Sequence, residues 1–92
     1  MRITFDPVAA DDLAQQLDYL IATNSVLAAS RLATRLSAFL ENFLATHPRT
    51  GKFIPEPGIW ETWIPGTKLI IWYRFSDDQL DVIRIWHTAR NR

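Results

Sequence analysis

Two amphipathic stretches, separated by a break of only three residues, constrain this chain more than any other feature. The break, Thr23-Asn24-Ser25, interrupts the apolar pattern and supplies cap residues for a following helix. On each side, apolar residues recur at steps of three and four, as on one face of an α-helix. The first stripe comprises Ala10, Leu13, Ala14, Leu17, Leu20 and Ile21, and the second Ala29, Leu32, Ala33, Leu36, Phe39, Leu40, Phe43 and Leu44. So short a break predicts an antiparallel helical hairpin whose two stripes face each other.

Both outer ends of the predicted hairpin carry stop or start signals. Asp6 can accept a hydrogen bond from a free amide of the first turn, and Pro7 suits the first helical position because its missing N–H is not needed there. His47-Pro48 ends the second helix, since a residue before proline avoids the helical region.

Short β-like runs flank the hairpin. Residues 49–58 are rich in Pro and Gly without a period, and we predict a loop there. The predicted strands are Arg2–Phe5, Ile59–Ile64, Lys68–Phe75 and Leu80–His87, and turn residues separate the last three as in a meander. The order β-α-α-β-β-β predicts one α+β domain over residues 1–92, with the helical hairpin packed on one face of a small antiparallel sheet.

Side chains alternate along a strand, so each strand of the meander has two predicted faces. The sets predicted to face the helices are Leu69, Ile71, Tyr73 and Phe75, and then Ile83, Ile85 and His87. The opposite sets contain Trp72 and Arg74, and then Val82, Arg84 and Trp86. Arginines among indoles admit two interpretations: packing at the rim of a small core, or a recognition surface. The recognition surface could bind a protein or single-stranded nucleic acid.

Composition excludes several classes of function. The chain has no cysteine, so it forms no disulfide or thiolate metal site, and its two histidines lie too far apart in sequence to predict a metal site. Residues 47–92 carry seven basic and five acidic groups, a net charge of +2, which falls short of the cationic stripe of a DNA-binding domain. We see no signal peptide or membrane span, and we predict a soluble cytoplasmic protein without cofactor or membrane partner.

The segment PGTKLIIWYRFSDDQLDVIRIWHTAR resembles the RelE/ParE superfamily of bacterial toxin–antitoxin toxins. Ile71–Phe75 is similar to the family's second meander strand, and Val82–Arg90 to its last strand. The opening strand with its Asp-Pro helix start and the run Leu17-Asp18-Tyr19-Leu20 also match. The resemblance covers essentially the whole chain and implies the fold predicted above.

The superfamily has two branches with different activities. ParE-like members, linked to plasmid stabilization, resemble inhibitors that bind DNA gyrase, and a ParD-like antitoxin neutralises them. RelE-like members cut messenger RNA on the ribosome. Three departures from the RelE pattern favour the ParE branch: Ile70 occupies the meander arginine position, Thr88 follows the last-strand histidine, and no tyrosine follows Tyr73. The resemblance therefore implies a non-enzymatic gyrase inhibitor, with a ribosome-dependent endonuclease as the alternative.

Each branch implies its own site. For binding the target or antitoxin, we expect Trp72, Arg74, Arg84, Trp86 and Arg90 to act. For RNA cleavage, His87 would move the proton, with Glu61 as a further base, while Arg74, Arg84 and Arg90 would hold the phosphate. His87 could instead be a structural histidine at the sheet end. A third hypothesis is an interaction module that has lost toxicity.

Overall fold

Helices and strands follow one another in the predicted order, with one additional strand. The computed structural model describes residues 1–88. The elements in this range are β1 Arg2–Phe5, α1 Pro7–Thr23, α2 Val26–Phe39, a π-helical turn Leu40–Leu44, a 3-10 turn Pro48–Thr50, β2 Lys52–Ile54, β3 Ile59–Trp63, β4 Leu69–Phe75 and β5 Gln79–His87. The predicted α+β fold with a helical hairpin is confirmed.

The caps of the hairpin are formed by the predicted residues. The Asp6 carboxylate accepts a hydrogen bond from the Val8 amide at 2.9 Å, directly at the start of α1. The Ser25 hydroxyl accepts one from the Ala28 amide at 3.0 Å at the start of α2, and only two residues separate α1 from α2. These bonds satisfy amides that the helices themselves leave unpaired.

The sheet is mixed and has the strand order β1-β5-β4-β3-β2. The predicted antiparallel pairing holds among β2, β3, β4 and β5, whereas β1 pairs with β5 in parallel. The loop predicted over residues 49–58 was wrong in part, because β2 forms there and pairs with β3 through Lys52 opposite Glu61 and Ile54 opposite Ile59. A strand of three residues is too short to show a period of two in the sequence.

Both helices pack on one face of the sheet. The core joins Leu36, Leu40 and Leu44 from the hairpin to strand residues that share this face, namely Leu69, Ile71, Tyr73, Leu80, Val82 and Ile85. In α1, the predicted stripe is rotated: Ala9 is buried while Ala10 and Ala14 are exposed. Asp12 and Gln16 are also buried, at 8% and 3% exposure. A pattern of apolar residues alone cannot place such a face.

A β-bulge in β5 changes which residues face the core. Trp72 lies opposite Arg84, but the next residue, Tyr73, lies opposite Val82, so Ile83 has no partner on β4. Val82 is fully buried in the core and Ile83 is not a core residue. The prediction that Ile83 faces the helices and Val82 the opposite side was therefore wrong, because a bulge interrupts strict alternation.

Within residues 1–88, no helix has the length and apolar character that a membrane span requires.

Candidate interaction surface on the outer sheet face

The sheet face opposite the helices, here the outer face, is organised in three rows. Residues that lie opposite each other on neighbouring strands project to the same side of a sheet. Reading across the strands, the rows are Trp63–Ile70–Trp86, Glu61–Trp72–Arg84, and Arg74–Asp81–Thr4. The face therefore concentrates indoles in one half and charged groups in the other.

The three tryptophans combine packing and exposure. Ile70, between Trp63 and Trp86, is only 1% exposed, so the indole row covers it. Trp72 and Trp86 pack edge to face with centroids 5.1 Å apart, and the Trp72 Nε1 donates to Glu61 Oε2 at 2.6 Å. Trp63 nevertheless leaves 56% of its surface exposed. Trp72 and Trp86 therefore orient each other, while Trp63 offers exposed aromatic area beside them.

Arg84 is held on both sides. Its guanidinium lies 4.3 Å from the centroid of the Trp86 ring. Its Nε and one terminal nitrogen donate to the two carboxylate oxygens of Asp12, at 2.8 and 3.2 Å. These hydrogen bonds raise the pKa of Arg84. A planar guanidinium between a carboxylate and an indole keeps its charge and its orientation, and a third of the side chain stays accessible, at 34% exposure.

Arg74 supplies a second, exposed cation on this face. Its Nε donates to the Gly58 carbonyl at 3.2 Å, and Asp81 lies opposite on β5. Asp81 accepts hydrogen bonds from the Thr4 hydroxyl and from the Gln79 amide, and these lower the pKa of Asp81. The carboxylate near Arg74 therefore stays charged at neutral pH.

The structure brings together only part of the residues predicted for a site. Trp72, Arg84 and Trp86 are half-buried and Arg74 is exposed, all on the outer face. His87 lies opposite Leu69, a core residue, and it lines a groove on the helical side. His87 is therefore not brought together with the two arginines. Arg90 lies outside the described residues.

Asp12 belongs to the site but was not predicted from the sequence. Asp12 reads as a solvated helix residue, yet it fixes Arg84 and also accepts the Ile85 backbone amide at 2.9 Å. The sequence gives no clear signal for it, because Asp12 shares its buried helix face with Ala9, three residues before it, and with the polar Gln16, four residues after it. A carboxylate on a buried face requires a donor.

Chemically, this arrangement is suited to binding. Aromatic and guanidinium groups on a rigid sheet provide apolar area and directed donors at low entropic cost. Among residues 1–88, no group of three or more His, Asp or Glu side chains is placed to hold a metal ion.

Comparisons with known proteins agree with this architecture. The family described as "ParE toxin of type II toxin-antitoxin system, parDE" matches residues 3–92. No curated protein matches the chain. A solved structure described as "Chromosomal ParDE TA system from P. aeruginosa" superimposes with a TM-score of 0.72 over 95% of each chain, at 14% sequence identity. At that identity, the superposition shows that the two chains share a fold.

Proposed function

We propose that this chain, which belongs to the ParE toxin family of type II toxin–antitoxin systems, inhibits DNA gyrase by binding and is neutralised by a cognate ParD-like antitoxin. The proposed action is stoichiometric: the toxin occupies a surface of the enzyme and needs no chemical step of its own. Because gyrase acts on the chromosome, the proposed place of action is the bacterial cytoplasm.

The observation that carries this proposal is the orientation of Arg84 on the outer face. Its guanidinium is fixed between Asp12 and the Trp86 ring before any partner arrives. Tryptophan and arginine dominate the binding energy of many protein interfaces, and side chains already held in place lose little entropy on association. Trp63 and Arg74 extend the same surface with exposed apolar and cationic groups.

Two further observations favour binding over RNA cleavage. Cleavage through the 2′-OH needs a proton acceptor and cations around one phosphate. His87 and the pair Arg74 and Arg84 lie on opposite sides of the sheet, so they would not surround one phosphate. Ile70, at the position of the meander arginine in RelE-like enzymes, is buried beneath the tryptophans.

A supercoiling assay tests the proposal directly. Purified toxin is added to gyrase, ATP and relaxed plasmid, and in parallel to ribosomes translating a defined messenger RNA. We expect loss of supercoiling at toxin concentrations comparable to gyrase, intact transcripts, and recovery of supercoiling when the antitoxin is added. Cut transcripts with normal supercoiling would instead establish the endonuclease alternative.

A further inference from the structure

β1 forms one edge of the sheet, and its outward backbone groups can accept a further strand. Besides β5, no strand of residues 1–88 pairs with β1. The amides of Arg2 and Asp6 donate to carbonyls of β5 and of the turn before it, both at 2.8 Å. Because successive backbone groups of a strand point to opposite edges, the amides and carbonyls of Ile3 and Phe5 point away from β5.

The two edges of the sheet differ in how they are protected against pairing with another chain. β2, at the other edge, has only three residues, begins with Lys52 and is followed directly by Pro55. Lysine, proline and short length are features by which proteins keep an edge strand from pairing. β1 contains neither residue type, and its one charged side chain, Arg2, lies at the end of the strand. β1 is therefore the less protected edge.

The segment from Arg2 to Asp6 is complementary to its own reverse. Two such segments can run antiparallel with Thr4 opposite Thr4. Ile3 then lies opposite Phe5 on the helical side, and these residues exchange both backbone hydrogen bonds, in agreement with the direction of their amides. On the outer side, Arg2 lies opposite Asp6, so opposite charges meet and like charges do not.

A groove of about 290 Å³ lies beside β1 on the helical side. Ile3 and Phe5 line it together with three apolar residues of the hairpin, Leu13, Leu36 and Leu40. Phe5 leaves 37% of its surface exposed. Because opposite residues project to the same side of a sheet, Phe5 of a second copy would lie beside Ile3 at this groove. The pairing therefore adds apolar burial to the backbone hydrogen bonds.

We propose that β1 pairs with β1 of a second copy of this chain, antiparallel and with Thr4 on the two-fold axis. Two sheets of five strands join into one of ten, and both hairpins lie on the same side of it. Each of the two Ile3–Phe5 pairs contributes two backbone hydrogen bonds, and each Arg2–Asp6 pair an ionic contact. So short a strand buries little area, so the dimer dissociates reversibly on dilution. The pairing requires neither gyrase nor an antitoxin.

Cysteine cross-linking tests the register of this dimer. The chain has no cysteine of its own. Thr4→Cys places two thiols opposite each other, where Cα atoms of such a pair lie about 4.5 Å apart, within reach of a disulfide. Arg2→Cys, on the same side of the strand, places them at opposite ends of the paired segments. With oxidised glutathione, we expect Thr4→Cys to form a linked dimer at least about tenfold faster, although position 2 is the more exposed. Equal rates, or no dimer from either variant, would overturn the pairing.

Sedimentation of the purified full chain over a range of concentrations measures the dimer itself. We expect a monomer–dimer equilibrium for wild type. Arg2→Glu replaces two attractions by two repulsions because of the symmetry, and it should raise the dissociation constant at least about tenfold. Asp6→Asn retains a cap for α1 and should give a smaller rise. The control is Lys52→Glu, the same reversal on the other edge strand, which should leave the equilibrium unchanged.

Two results of the sedimentation experiment would contradict the proposal. One is a wild-type chain that stays monomeric at every concentration, and the other is a dimer that Lys52→Glu weakens as much as Arg2→Glu. If the chain is monomeric and Arg2→Glu instead weakens binding of the antitoxin, a different partner uses this edge and the proposed self-pairing is wrong.

Discussion

Asp12 of α1 and Arg84 of β5, 72 positions apart in the sequence, meet through two hydrogen bonds of 2.8 and 3.2 Å. The same carboxylate accepts the backbone amide of Ile85 at 2.9 Å. β1 pairs with β5 only as far as Val82, so beyond that point no strand of residues 1–88 pairs with this edge of β5. Asp12 thus links the helix to an unpaired strand edge and to a charge of the outer face.

Replacing Asp12 should lower the free energy of unfolding. In Asp12→Ala, the Ile85 amide and the Arg84 guanidinium lose their acceptor, and we expect a loss of about 2–4 kcal/mol. Urea unfolding measures it. The exposed neighbour is the control: Asp11→Ala should change stability by less than about 0.5 kcal/mol. Equal stabilities of the two variants would show that the link contributes nothing to the fold.

A side chain at Gly51 should destabilise the fold. A Cβ atom there would lie 2.5 Å from the Tyr73 hydroxyl and 2.7 Å from the Glu61 carbonyl oxygen. The hydroxyl cannot easily move, because it donates to the Pro48 carbonyl at 2.7 Å. We expect Gly51→Ala to cost about 1–3 kcal/mol by urea unfolding, and Tyr73→Phe to recover part of that loss in the double variant. An unchanged midpoint in Gly51→Ala would refute this close approach.

Burial of Tyr73 makes stability sensitive to alkaline pH. Burial raises the pKa of Tyr73 above its ordinary value, with a smaller opposing effect from the Gly51 backbone. The unfolded chain ionises this tyrosine near its usual pKa of about 10, while the folded chain keeps it neutral. Its contribution is therefore complete below about pH 10 and is lost as pH rises further. Thermal melts should show a steeper alkaline decline for wild type than for Tyr73→Phe; parallel declines would contradict the assignment.

Asp81 makes stability sensitive to acid pH. The Thr4 hydroxyl and then the Gln79 amide, by hydrogen bonding, hold the pKa of Asp81 below its ordinary value. This contribution to stability is present above the pKa of Asp81 in the unfolded chain, about 4. It is lost as pH falls through the lower pKa that Asp81 has in the folded chain. In Thr4→Val, the melting temperature should therefore fall less steeply as pH drops below about 4. A wild-type acid profile in Thr4→Val would exclude this hydrogen bond as the cause.

Local features of the chain were readable from the sequence, and long-range ones were not. The helix starts at Asp6 and Ser25 were predictable because a cap acts within a few residues of its own position. The bulge at Ile83 depends on how β5 pairs with β4, and the burial of Asp12 depends on a partner far along the chain. Neither relationship leaves a periodic signal.

The same distinction applies to the candidate surface. Alternation predicted Trp72, Arg74, Arg84 and Trp86 on one side, and the register agrees. Trp72 and Arg74 are two residues apart on β4, and Arg84 and Trp86 are two residues apart on β5 after the bulge, so alternation holds within each pair. The exposed Trp63 was not selected, since its strand neighbours were unknown without the register that pairs it with Ile70. The likeness to a toxin family came from the conjunction of strand motifs, while the roles of individual side chains needed the geometry.

We propose that the outer face binds gyrase, and a comparison of two double variants in the supercoiling assay tests this proposal. Trp63→Ser with Arg74→Ala removes an exposed indole and an exposed cation from that face; Val8→Ser with Arg49→Ala removes an exposed apolar side chain and an exposed cation from other surfaces. We predict that the first variant, folded by circular dichroism, requires at least about tenfold more protein to inhibit gyrase, while the second inhibits like wild type. Equal inhibition by both variants would contradict the claim.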